Sequence, residues 1–94
     1  MSYVVTDNVA RKRFELDLEG GRAFIDYERE GNVVTLLHAE VPAELQGRGI
    51  GSALVRGTLE LVRARKERVV PVCPFVVDYL ARHPQFQDLV VHAV

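Results

Sequence analysis

Phe14, Leu16 and Leu18 alternate with Arg13, Glu15, Asp17 and Glu19. This period of two marks a strand with one buried and one wet face. Gly20-Gly21 closes the run with a hairpin turn, and Ala23, Ile25 and Tyr27 resume it against Asp26 and Glu28. After a second turn at Glu30-Gly31-Asn32 comes Val33-Val34-Thr35-Leu36-Leu37-His38-Ala39-Glu40-Val41. Its first half is apolar on both sides, as a central strand requires. Three strands joined by short turns predict an antiparallel meander.

The period changes after Pro42. Ala43 to Gly51 reads as a glycine-rich loop. From Ser52 the spacing is helical: Ala53, Leu54, Val55, Leu59, Leu61, Val62 and Ala64 give one apolar face. Arg56–Glu60 and Arg63–Glu67 stand at i,i+4 on the other, where opposite charges meet. Val69-Val70-Pro71-Val72 reads as a short buried strand. A strand–helix–strand unit places its two strands parallel and adjacent. A second helix is expected from Pro74 to Arg82, stopped by His83-Pro84. Leu89-Val90-Val91 is expected to form a last short strand. The fold class is α+β: an antiparallel meander followed by a β-α-β-α unit, sharing one mixed sheet.

Length and composition narrow the function. Ninety-four residues make one small domain, read as a single unit over 1–94. An apolar fraction of 48% with 27% charged residues is ordinary for a packed domain. Net charge is −1 from 12 basic and 13 acidic side chains, which argues against broad nucleic-acid binding. Arg11-Lys12-Arg13 reads as a solvated edge. A charge this close to zero is compatible with a monomer or a weak homodimer. One cysteine excludes an internal disulfide framework and a cysteine-rich zinc site, and three scattered histidines give no metal site. The longest apolar runs, Val69–Val72 and Pro74–Val77, fall far short of a membrane span. The N-terminus lacks the basic-then-apolar order of a secretory signal, so the expected location is the cytoplasm.

The chemistry concentrates between Val41 and Ser52. Gly47, Gly49 and Gly51 stand on alternate positions between a strand and a helix start. Glycines let backbone approach a ligand, and the first amides of a helix have no partner within it. The helix dipole adds positive potential, and Arg48 adds a full charge. The segment therefore reads either as an anion cradle or as a tight turn whose glycines relieve crowding. A P-loop is excluded because no Lys follows the glycines. The dinucleotide fingerprint fails because its last glycine would fall on Ser52, and because a meander precedes the loop.

Gln46-x-x-Gly49-x-Gly51 matches the Gln/Arg-x-x-Gly-x-Gly/Ala signature of the GNAT acetyltransferases. More of the chain agrees: His38-Ala39-Glu40-Val41-Pro42, Gly47-Arg48-Gly49-Ile50-Gly51, Pro71-Val72-Cys73-Pro74-Phe75 and Tyr79-Leu80-x-Arg82-His83-Pro84. From about Phe14 to Leu89 the chain resembles the short, single-domain members of that superfamily. Ala39 departs from the Thr expected in the short group. The resemblance implies a sheet whose two parallel strands splay apart, with acetyl-coenzyme A in the gap. Gln46, Gly47, Arg48, Gly49, Ile50, Gly51 and Ser52 would hold the pyrophosphate of coenzyme A, and Val41 would pair its backbone with pantetheine. It also implies that the N-terminal elements with which larger members shape an acceptor site are missing.

Three side chains are candidates for catalysis. Cys73 precedes Pro74, a good first helical residue, so it falls at a helix N-cap, where a thiol pKa is lowered. It reads either as an acyl-carrying nucleophile or as a small apolar residue lining the acyl site. By resemblance, Glu40 would deprotonate the acceptor and Tyr79 would protonate the leaving thiolate. Their plain alternatives are a solvated strand-end carboxylate and an aromatic packed on Phe75 and Leu80. His38 shares a face with Glu40 and reads as its partner. The expected function is acetyl transfer to a small-molecule or protein amine, directly or through Cys73, direct transfer being preferred. The alternatives are a non-catalytic coenzyme A or acyl-CoA binding module acting with a partner protein, and a structural domain with no ligand.

Overall fold

In the computed structural model, which describes residues 3–91, one sheet of five strands carries two helices. The strands are β1 (Val5–Asn8), β2 (Arg13–Leu18), β3 (Gly21–Glu30), β4 (Val33–Glu40) and β5 (Arg68–Pro71). They lie in chain order, β1 to β4 antiparallel and β5 parallel to β4. Helix α1 (Ile50–Ala64) crosses from β4 to β5, and α2 (Pro74–Arg82) follows β5. Together these elements make the α+β meander and β-α-β-α unit expected from the hydrophobic periods.

The buried strand residues share one face. Phe14 and Leu16, Ala23, Ile25 and Tyr27, Val34 and Leu36, and Val69 lie in register across it. Leu54, Val55, Thr58, Leu59 and Val62 of α1, with Val76, Tyr79 and Leu80 of α2, cover them. The opposite face holds charged residues in cross-strand pairs. Arg13 meets Asp26 at 2.7 Å, with its guanidinium over the Phe24 ring, and Arg22 meets Asp17. Glu15 departs from the wet face expected of it and is only 5% exposed. Asn8 Nδ2 donates to its Oε1, and Arg22 lies 3.6 Å from its Oε2.

Four expectations are corrected. β1 was not foreseen; of its four residues only Val5 is buried, so no period is legible there. Helix α1 begins at Ile50 rather than Ser52, because Gly49 already turns the chain and Ile50 is buried. Residues Pro84–Leu89 form a 3-10 turn that buries Phe86 and Leu89, and the last strand reduces to one bridge, Val90 to Val69. The Arg63–Glu67 pair does not form, since α1 stops at Ala64 and Lys66 adopts a positive φ of 58°. Glu67 pairs with Arg29 and Arg63 with Asp88, while Arg56–Glu60 stands as expected at 3.8 Å.

Two contacts fix α1 on the sheet. Gly57 lies flat against β1: a Cβ there would come within 2.3 Å of Val5 Cγ2. At the C-terminal end, the Asp7 carboxylate is buried and accepts from Tyr27 Oη at 2.6 Å, from Arg29, and from Arg65 just past the helix. Arg29 also grips Glu67, so one charged cluster ties β1, β3 and the end of α1 together. Burial opposes the charge on Asp7, but the Tyr27, Arg65 and Arg29 hydrogen bonds outweigh it and hold the pKa below 3.8. The Tyr27 phenol is pushed up to about 12, by burial first and then by Asp7.

Gly57→Ala is expected to destabilise the fold by about 1–3 kcal/mol through overpacking, although Ala is the better helix former. A thermal melt that rose instead would show that the helix does not lie against Val5. Asp7→Asn should cost about 2–3 kcal/mol, the scale of hydrogen bonds to a charged group. The Asp7 contribution is fully present above pH 3.8 and is lost as pH falls through the lower folded value. Denaturant unfolding at neutral and acid pH should therefore show the wild type losing more stability in acid than Asp7→Asn.

Candidate functional site

Strands β4 and β5 are paired only from Val33–Arg68 to Leu36–Pro71. There the Leu36 carbonyl accepts from two successive amides, Val72 N at 3.0 Å and Cys73 N at 3.1 Å. Pro71 has no N–H with which to extend the ladder. On the other side of β4, Tyr27 lies opposite Leu36 and its neighbour Asp26 lies opposite His38, so Leu37 is an extra residue. Such a bulge bends the strand and sharpens its twist. From Leu37 to Glu40, β4 keeps β3 as a partner but has no ladder partner on the β5 side among the described residues. The two parallel strands thus form a fork.

Pro42 ends the strand, and a 3-10 turn, Ala43–Leu45, buries Leu45 beneath the loop. Gln46 Nε2 donates to the Val41 carbonyl at 3.1 Å and braces the chain as it leaves β4. Gly47 and Gly49 adopt φ of 82° and 75°, the left-handed region that side chains disfavour. No heavy atom lies within 4 Å of where a Cβ would stand on either, so their surroundings are open. Gly49 is the N-cap of α1 and has no side chain to cap it. The first amide of the turn to bond is Ala53 N, to the Gly49 carbonyl at 3.0 Å. The amides of Ile50, Gly51 and Ser52 precede it at the positive end of a 15-residue helix.

These elements line an open cavity of about 380 Å³. Its floor is the loop and first helical turn, from Gln46 and Gly47 to Gly49, Ile50, Gly51 and Ser52. Ala39 and Val41 from β4, Leu45, Leu54 and Phe75 of α2 complete the wall. No ionisable side chain is among these lining residues. The sequence had singled out Val41 and the loop but not Ala39, Leu45, Leu54 or Phe75. Phe75 carried a signal: it lies off the stripe of Val76, Tyr79 and Leu80 that faces the core.

The other candidates lie at different distances from this cavity. Arg48 lines a neighbouring open cleft with Tyr3, Asp17 and Glu19 rather than the cavity itself. Glu40 and His38 face the uncovered side of the sheet, 3.8 Å apart and mostly exposed, with Glu40 between the lining residues Ala39 and Val41. Cys73 is the N-cap of α2, as expected, but its side chain is 5% exposed within the core and does not line the cavity. Tyr79 is also buried, stacked on His83 with ring centroids 3.8 Å apart and tilted against Phe86. Burial raises its phenol above 10, with Arg56 pulling it down and Glu60 pushing it up. His83 Nδ1 donates to the Tyr79 carbonyl at 2.8 Å and caps the end of α2.

A mixed sheet forked between two parallel strands, with a glycine-shaped helix start beside the fork, is the architecture of an N-acetyltransferase fold. A family model described as GCN5-related N-acetyl-transferase matches residues 13–89, and the chain belongs to that family. Protein NATD1 from Mus musculus is 33% identical over 82 residues, covering 84% of this chain and 74% of that protein. The Homo sapiens Protein NATD1 is also 33% identical over 82 residues, covering 84% and 73%. In three dimensions the chain resembles a GCN5-like protein from Staphylococcus aureus, solved by NMR, whose proposed activity is N-acetyl transfer. The TM-score is 0.70 at 22% identity, over 96% of this chain and 89% of that one. Among the described residues no helix is long and apolar enough to cross a membrane.

Proposed function

We propose that the cavity binds acetyl-coenzyme A and that the protein transfers the acetyl group to an amine of a small molecule or a protein. One observation carries this reading: uncapped amides at the start of α1 open into a cavity that adjoins the fork. An anion suits those amides, and the open surroundings of Gly47 and Gly49 leave room for a pyrophosphate. The apolar wall of Ala39, Val41, Leu54 and Phe75 suits an uncharged arm reaching from there to the fork. The free edge of β4 beyond Leu36 offers backbone groups to that arm. The Val41 carbonyl already accepts from Gln46, which fixes its direction, and retains a second lone pair.

Coenzyme A supplies the activated thioester, and the protein positions it and manages protons. The amine nitrogen attacks the thioester carbonyl, the C–S bond breaks, and coenzyme A leaves as a thiolate that takes up a proton. Glu40 would accept the proton of the amine, directly or through water; its exposure at the end of β4, next in sequence to the lining residues Ala39 and Val41, supports this role. Tyr79, the donor the resemblance implies, is buried, stacked on His83 and outside the cavity wall, so on this reading the thiolate takes its proton from solvent. Direct transfer accords with the buried Cys73 thiol better than an acetyl-Cys73 intermediate does.

A second reading has its own support. The cavity wall contains no ionisable side chain, as a module that holds coenzyme A without turning it over would require. A screen of acetyl-coenzyme A with diverse amines separates the two: tight binding with no turnover on any amine supports the module.

Calorimetry with coenzyme A should show binding, and none at millimolar ligand would sink both readings. Gly49→Asp should weaken that binding about tenfold or more, which is about 1.4 kcal/mol. The added carboxylate would enter the anion site; because the left-handed φ of Gly49 strains any side chain, Gly49→Ala, which carries the same strain without the charge, is the control and should bind coenzyme A more tightly than Gly49→Asp. Glu40→Gln should lower kcat about a hundredfold while leaving coenzyme A affinity unchanged. Cys73→Ser should retain activity. An acetyl adduct found by intact mass spectrometry, absent in Cys73→Ala and discharged by amine at the turnover rate, would establish the covalent route instead.

A further inference from the structure

Gly47 and Gly49 serve the loop by their backbone angles, but Gly51 does not. It lies within α1, its φ is not positive, and any residue could adopt its conformation. What it lacks is a side chain in a crowded place. A Cβ on Gly51 would stand 2.8 Å from Phe75 Cζ and 3.2 Å from Cε2. The first turn of α1 thus gives up a better helix former to let an aromatic ring rest on it. Phe75 is not there to fill the core, since it lies off the buried stripe of α2 and remains 44% exposed. It is the one aromatic residue, and the one residue of α2, that lines the cavity.

We propose that Phe75 is a specificity-determining wall: its ring, seated on Gly51, holds the pantetheine arm of coenzyme A against Ala39 and Val41, so that the cavity selects arm-bearing ligands over the nucleotide alone. The proposal rests on the coenzyme A reading and adds to it the residue that distinguishes coenzyme A from other pyrophosphates. The anion cradle alone makes no such distinction, since backbone amides bind any pyrophosphate. An exposed aromatic face beside an apolar strand end supplies it, because the arm can bury apolar surface there and a bare nucleotide cannot. The ring already stands at the edge of the open cavity, so the arm is received without its displacement.

The test compares two ligands by calorimetry: coenzyme A, and ADP, which has the pyrophosphate but no arm. Phe75→Ala should weaken coenzyme A binding about tenfold and leave ADP binding unchanged, with Phe75→Leu recovering part of the loss. Equal weakening of both ligands, or of neither, in a wild-type protein that binds coenzyme A would overturn the wall and leave the cofactor reading standing. A wild type that binds no coenzyme A would overturn both. The seating of the ring is tested without ligand. Gly51→Ala should be less favourable to the melting temperature in the wild-type background than in Phe75→Ala, where the methyl group has room, and an equal change in both would show that the ring does not rest on Gly51.

Discussion

The molecule turns on one carbonyl. Leu36 accepts hydrogen bonds from two consecutive amides, Val72 and Cys73, and in doing so uses both lone pairs of its oxygen at the point where a parallel ladder would have continued. Pro71 can donate nothing, and the bulge at Leu37 bends β4 at the same level. The end of pairing is therefore determined from both sides. Because β5 stops there, α2 begins at Pro74 and its first turn comes down beside the first turn of α1. The cavity, the contact of Phe75 with Gly51 and the burial of Cys73 all follow from where that carbonyl stops the ladder.

Helix α1 is held in two chemically different ways. Toward its C-terminus it is tied by charge, through Asp7, Arg29, Glu67 and Arg65. Nearer its middle it is held by shape, through the flat face of Gly57 on Val5. Neither device touches the amides at its N-terminus, which remain available. A helix fixed at its far end and centre presents its dipole in a set direction, so an anion bound there on the proposed reading would meet amides already in place. The cost is borne by the buried carboxylate of Asp7, whose charge burial opposes and three hydrogen-bond donors favour.

The meander was legible because each strand buries one face and the hydrophobic period of two survives unbroken through Phe14 to Tyr27. The turns of the loop were legible because positive φ at Gly47 and Gly49 forces glycine there, which no neighbour in space needs to explain. The fold behind these features, with β5 parallel to β4, followed from chain order alone. What escaped was set by packing. Leu36 and Leu37 are the same residue type, and nothing local says that one is buried in the ladder and the other is the extra residue of a bulge. Gly51 looked like Gly47 and Gly49 along the chain, but it has no positive φ, and a Cβ on it would meet Phe75 across space. Tyr79 was expected against Phe75 and Leu80, and it stacks on His83 instead, one turn away on the same helix.

Among the described residues the sheet is covered on one side only, and this bears on how two reactants could meet. The cavity opens on the helical side of β4, whereas Glu40 and His38 stand on the bare side, with Leu37 and Val72 exposed at the fork. On the acyl-transfer reading, a donor seated among the helices and an amine arriving over the bare face approach the same gap from opposite directions. Neither then blocks the other, and geometry imposes no order of encounter. Among the described residues no second layer covers the bare face, so on that reading the two reactants would have separate approaches to one gap.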